Sequence, residues 1–137
     1  MDDNSEEKIS EVIDTNIKGV IFTTKVALAH MRKQKSGFIL NIVSTSGLKG
    51  RKDQSVYVAS KFAVRGFTDS LKEDLAGTHI KVAGFYPGGM NTRLFEKAGF
   101  TKENSKWMDT NKVASIVIFM LKQDDEMILD HVVLNRR

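Results

Sequence analysis

Two short, nearly continuous apolar runs, Phe38 to Val43 and Ile80 to Tyr86, constrain this fold more than any other feature of the chain. A strand with one face in water alternates apolar and polar residues, and a strand covered on both faces loses that alternation. Both runs are of the second kind, so other elements must pack above and below them. The segments around them supply those layers at helical period. From about Ser5 to Lys33, Ile9, Val12, Ile13, Ile17 and Val20 make one apolar stripe. Phe22, Val26 and Ala29 start a second stripe on a different face. From about Ser55 to Ala76, Val56, Ala59, Phe62, Ala63, Phe67, Leu71 and Leu75 repeat the same spacing, and Gly77 is a natural stop. Asn111 to Lys122 carries Val113, Ile116, Val117, Met120 and Leu121 at helical period, although its β-branched content leaves a strand open. His131 to Leu134 is a last short strand. Helix, strand, helix, strand, loop, helix, strand predicts an α/β chain with three parallel strands and right-handed crossovers.

Local chemistry marks the boundaries. Asn4 or Ser5 can cap the first helix, with Glu6 and Glu7 where the helix dipole favours acid. Ser36-Gly37 ends it, and Ser44 to Ser55, rich in Gly, Ser and Lys, reads as a loop. Pro87-Gly88-Gly89 breaks the chain after the second strand, and irregular sequence follows through Trp107. Asp109 or Thr110 can cap the third helix.

Composition narrows the classes of function. A length of 137 residues predicts a single domain, 1–137. With no cysteine, disulfides, thiolate catalysis and cysteine-ligated zinc are excluded together. His30, His79 and His131 stand alone, without a partner at metal-ligand spacing, so no metal is expected. No apolar run approaches the roughly 20 residues of a membrane span, and no membrane role is expected. The acidic start, MDDNSEEKIS, lacks the basic end and apolar stretch of a secretory signal, which predicts a soluble, cytoplasmic protein. Lys and Arg number 21 against 17 Asp and Glu, a net charge of +4. The densest basic groups, Lys49, Arg51, Lys52 and Arg136-Arg137, form no stripe interleaved with aromatics. They read as solvated surface, and no nucleic-acid partner is expected.

Several polar residues stand out. Asn16 falls on the first apolar stripe, where a polar side chain needs partners; by position alone it reads as a satisfied core asparagine. Ser44 stands where the first strand ends, at the edge where open parallel sheets bind ligands. Tyr57 and Lys61 share one helix face at i and i+4. That pair is either an ordinary surface pair or a tuned proton donor, because a nearby ammonium favours the phenolate.

The pieces N-I-V-S-T-S-G (Asn41 to Gly47), Y-V-A-S-K (Tyr57 to Lys61) and P-G-G-M-N-T (Pro87 to Thr92) occur in this order, after D-T-N-I-K-G-V (Asp14 to Val20). Together they resemble the short-chain dehydrogenase/reductase superfamily across most of the chain. The resemblance implies a truncated Rossmann-like fold, whose three strands are the last three of a doubly wound sheet. It implies an NAD(P)-dependent oxidoreductase interconverting a carbonyl and an alcohol by hydride transfer. In that reading Tyr57 is the acid/base, Lys61 lowers its pKa and holds the nicotinamide ribose, and Ser44 holds the substrate oxygen. Asn16 anchors a water that links Lys61 to solvent. Pro87 and Gly88 let the backbone approach the nicotinamide, and Thr92 bonds its carboxamide. Residues 89–107, with Met90, Leu94, Phe95, Phe100 and Trp107, form a substrate lid.

The family's opening strand, glycine-rich turn and N-A-G turn have no counterpart here, since Gly47-x-x-Gly50 and Gly84 to Gly89 lack the dinucleotide spacing. The resemblance therefore implies that only the nicotinamide half of NAD or NADP contacts this chain, and that the chain may be inactive by itself. Its expected partners are a small carbonyl or alcohol substrate and a second copy. The copies would meet through helices 5–33 and 55–76 in a homodimer or homotetramer. The alternative is a non-catalytic dimerisation or interaction fragment derived from such an enzyme.

Overall fold

The computed structural model of the protein describes residues 5–97 and 106–137. A first helix runs as α1 (Glu6–Ile13), a π turn (Asp14–Lys18) and α2 (Gly19–Gln34), followed by β1 (Gly37–Ile42). Next come a 3-10 turn (Thr45–Gly47), α3 (Ser55–Asp74) and β2 (Ile80–Pro87). The chain closes with α4 (Leu94–Lys97), α5 (Thr110–Leu121) and β3 (His131–Leu134). The strands form one parallel sheet in the order β1-β2-β3. Gly37 pairs with Ile80 and Ile42 with Phe85, while Gly84 pairs with His131 and Pro87 with Leu134. This is the α/β architecture with three parallel strands that the apolar runs predict.

Both faces of the sheet are covered, which is why its strands lack alternation. On one face Ile39, Ile80 and Val82 pack with Leu71 and Leu75, against which Leu28 and Met31 of α2 are also laid. On the other face Ala83 and Phe85 pack with Val113 and Met120 of α5. So α2 and α3 share one face and α5 takes the other. Capping follows the sequence: Lys8 N–H donates to Ser5 Oγ at 3.4 Å, and Asp109 Oδ1 accepts from Asn111 N–H at 2.7 Å and Lys112 N–H at 3.2 Å. Among the described residues, no helix is long and apolar enough to cross a membrane.

The structure corrects the sequence reading in three places. The first helix is not uniform: at the π turn Gly19 N–H bonds Asp14 O, which widens the helix locally. Val20, Thr24, Leu28 and Met31 turn inward, and Phe22, Val26 and Ala29 turn out to solvent. The stretch after Ser44 is not simply a surface loop, since Thr45, Ser46 and Gly47 are buried. The second helix ends at Asp74 rather than Ala76, and Gly77, with φ +76°, makes the turn beyond it.

Asn41 is the one polar residue within the apolar run of β1, and it is buried. Its Nδ2 donates to Thr68 Oγ1 at 2.8 Å, and Thr68 Oγ1 donates to the Val64 carbonyl at 2.7 Å. Strand and helix are thereby joined by a polar pair inside the core. Thr68→Val keeps the shape and orphans the asparagine amide. Urea denaturation should show a loss of about 1–3 kcal/mol. The double variant Asn41→Leu/Thr68→Val should recover part of it.

Candidate active site

The site is built where β1 ends. Val43 N–H continues the sheet by donating to Phe85 O at 2.8 Å, and Ser44 follows at the carboxyl edge. Ser44 has φ 144° and ψ 156°, a region normally reserved for glycine. Such a conformation costs on the order of 1–3 kcal/mol and persists only where the surroundings hold it. Here the turn itself holds it: Ser46 N–H donates to Ser44 Oγ at 3.1 Å, and Gly47 N–H to Ser44 O at 2.9 Å. A Cβ on Gly47 would lie 2.7 Å from Val43 Cγ1 and 2.9 Å from the Lys61 carbonyl, so only glycine lets the turn rest on α3.

Helix α3 brings the other groups to Ser44. Tyr57 and Lys61 are one turn apart and half-buried, with Lys61 Nζ 5.7 Å from the centre of the Tyr57 ring. Burial holds the Tyr57 phenol above its ordinary pKa, and a hydrogen bond with the Ser44 hydroxyl opposes that rise. Burial also holds the Lys61 amine below its ordinary value. The group that lowers the Tyr57 pKa here is the Ser44 hydroxyl, and burial outweighs it. The Lys61 amine stands over the Tyr57 ring, and taking each group out of water disfavours its charged form.

Asn16 meets the site from the π turn. Its Nδ2 donates to Ser60 Oγ at 3.1 Å, and Ser60 Oγ donates to the Tyr57 carbonyl at 2.7 Å. The misfit on the apolar stripe is therefore a satisfied side chain that ties the first helix to the Tyr57–Lys61 turn. Ser60 is a residue that sequence reasoning missed. Its signal was available, as a small polar side chain inside the Tyr57–Lys61 motif that ends up 1% exposed.

Pro87 and Gly88 leave the sheet at the same carboxyl edge, and Gly88 N–H donates to Leu134 O at 2.8 Å. Thr92 Oγ1 accepts from Leu94 N–H at 3.3 Å. The base of the expected lid is tied down: Asn91 N–H donates to Met108 O at 2.9 Å, and Trp107 packs against Gly89. Leu94 is exposed and lies on α4. Phe100 and the rest of 98–105 lie outside the described residues. The structure thus joins Ser44, Tyr57, Lys61 and, through Ser60, Asn16. It sets Pro87 and Gly88 on the neighbouring strand end.

An open parallel sheet with helices on both faces and polar groups gathered at its carboxyl edge defines a Rossmann-like α/β protein. The family model described as short chain dehydrogenase matches residues 1–103, and the chain belongs to that family of oxidoreductases. It is 33% identical over 132 residues to an uncharacterised oxidoreductase of Staphylococcus epidermidis, covering 96% of this chain and 56% of the relative. A serine dehydrogenase whose closed form is complexed with NADP+ superposes with a TM-score of 0.86 at 28% identity, over 96% of this chain and 57% of that one. ElxO with NADP bound gives 0.82 at 28% identity, over 98% and 58%. The chain thus spans little more than half the length of the proteins it matches.

The desolvated amine has a consequence for stability. A folded-state pKa below the unfolded value means that the unfolded chain binds more protons between the two. Stability from Lys61 therefore rises as pH climbs from the folded value toward the ordinary 10.5. Lys61→Met should match or exceed the wild-type melting temperature at neutral pH. Its advantage should shrink as pH rises toward 10.5 in a thermal-denaturation series.

Proposed function

We propose that this chain carries the proton-transfer half of an NAD(P)-dependent oxidoreductase that interconverts a carbonyl and an alcohol. The observation that carries this reading is the meeting of the Ser44 hydroxyl, the Tyr57 phenol and the Lys61 amine at the carboxyl edge of the sheet. Ser44 hydrogen-bonds the substrate oxygen. In reduction Tyr57 donates its phenolic proton to that oxygen, and in oxidation it takes the proton back. Lys61 and Asn16 act behind it. Asn16 fixes the turn through Ser60 and anchors a water that connects Lys61 to solvent.

The donor set suits a nicotinamide nucleoside. Lys61 and Tyr57 offer hydrogen bonds for ribose hydroxyls, Thr92 offers a hydroxyl for a carboxamide, and Pro87-Gly88 offers backbone without a bulky side chain. The cofactor, NAD or NADP, supplies or accepts the hydride. NADP is bound by the serine dehydrogenase and ElxO structures, which supports this choice of cofactor class. A cytoplasmic setting, where both dinucleotides circulate, fits the reading.

Association of copies through α1–α2 and α3 belongs to the same proposal. Phe22 is 62% exposed, Val26 72% and Phe62 42%, a set of large apolar side chains on the outer faces of these helices. Exposed apolar groups of this kind mark association surfaces. A second reading, a non-catalytic dimerisation or interaction fragment, is favoured by the same exposed apolar set.

Two measurements separate these readings. NADH and NADPH oxidation is followed with a panel of small carbonyls, using this chain alone and mixed with the preceding half of the Staphylococcus epidermidis relative. Turnover in either arrangement, lowered by about 10²-fold or more in Tyr57→Phe, is the expected result. A stable dimer without turnover in both would leave the fragment reading. In sedimentation, Phe22→Lys/Val26→Glu should shift the chain toward monomer.

A further inference from the structure

The basic group Lys49, Arg51 and Lys52 is exposed, as the sequence predicts, and one of its members also reaches the site. Arg51 Nη2 donates to Thr45 Oγ1 at 3.2 Å. Thr45 is 5% exposed and directly follows Ser44. The guanidinium is therefore seated one residue from the hydroxyl that contacts Tyr57. The chain then turns tightly, with Gln54 N–H donating to Arg51 O at 3.4 Å and Asp53 at φ 59°, and enters α3 two residues before Tyr57. Arg51 thus lies in the exposed connection between the two segments that form the site, with its side chain bonded to the first of them.

The charge there is uncompensated. Among the described residues, no carboxylate forms an ion pair with Lys49, Arg51 or Lys52. Asp53, on the same turn, does not pair with them either. The first turn of α3 carries no acidic side chain, and Gln54 gives it no side-chain cap, so its positive end adds to the field. A guanidinium has five donors in a planar fork, and Thr45 takes one of them. The remaining edge matches the two oxygens of a carboxylate.

We propose that Arg51, seated on Thr45 beside Ser44, is a specificity-determining residue and that the substrate is a short hydroxy acid or oxo acid whose carboxylate it binds. Lys49 and Lys52 raise the local concentration of such an anion. The assignment rests on the reading of Ser44 and Tyr57 as the alcohol/carbonyl site, and it adds the chemical class of what lies next to that oxygen.

The test compares 3-hydroxybutyrate with 1,3-butanediol, which share a carbon skeleton and differ in the carboxylate. Each is titrated into the chain at matched sodium chloride, following the amide resonances of Ser44, Arg51 and Tyr57 by protein NMR. The acid should bind saturably and about tenfold or more tightly than the diol. Arg51→Gln, which keeps a donor for Thr45 and removes the charge, should bring the acid to the level of the diol. Arg51→Lys should fall between, and it serves if the glutamine variant fails to fold. Added salt should weaken the acid and leave the diol unchanged. Equal binding of acid and diol, or acid binding untouched by Arg51→Gln, overturns the role of Arg51 and leaves the alcohol site standing. Failure of both compounds to move Ser44 and Tyr57 overturns the alcohol site and the Arg51 assignment with it.

Discussion

The site depends on one close approach, the backbone of the Thr45–Gly47 turn resting on helix α3. With no side chain at Gly47, the turn reaches the Lys61 carbonyl and the Val43 side chain. That contact fixes the distance between the end of β1 and the helix that carries Tyr57. It also buries Thr45 and Ser46, whose polar atoms then need partners. Ser44 accepts from the Ser46 backbone, and Thr45 accepts from Arg51. The unfavourable backbone angles of Ser44 are tolerated because relaxing them would undo these contacts together. A serine hydroxyl is thereby aimed at a phenol by packing rather than by a flexible loop.

Most of the fold was legible because its signals are local. Unbroken apolar runs announced β1 and β2, and the structure moves their ends by a single residue at most. Asp109 and Ser5 act as caps because their oxygens reach backbone donors a turn away, a relation written in adjacent residues. The π turn was not legible, since Ile13 and Ile17 keep helical spacing in sequence whether or not the turn widens between them. Nor was the burial of Thr45 and Ser46, because a stretch of Ser, Gly and Lys reads the same on the surface as under a helix. At the site, residue types and spacing left Ser44, Tyr57 and Lys61 open, and the resemblance of the ordered motifs singled them out. The net direction of the Tyr57 pKa was not available, because burial is a property of the packed chain.

The π turn links two observations that looked separate in the sequence. A uniform helix would carry the stripe of Ile9, Val12 and Ile17 onward along one face. Beyond the widened turn between Asp14 and Lys18, Val20, Thr24 and Leu28 face inward. Phe22 and Val26 are left outward, and Asn16 meets Ser60 at the turn itself. The widened turn thus serves the site, where it presents Asn16 to Ser60. Isolated π turns often persist at functional positions for this reason, since they re-aim side chains without breaking the helix.

The contacts that join Ser44, Tyr57, Lys61 and Asn16 all lie between Asn16 and Lys61, within the first helix, β1, the turn and the start of α3. Their arrangement is therefore set by contacts local to that stretch. The sheet is a different matter. Among the described residues β1 pairs with β2 alone, and Ile42, two residues before Ser44, is 48% exposed. An apolar edge strand is a template for another strand. Pairing there would remove more water from the neighbourhood of Ser44 and strengthen the effects that burial already exerts on Tyr57 and Lys61. Cover at the β1 edge would thus bear on the protonation of Tyr57 and Lys61, although neither lies on β1 itself.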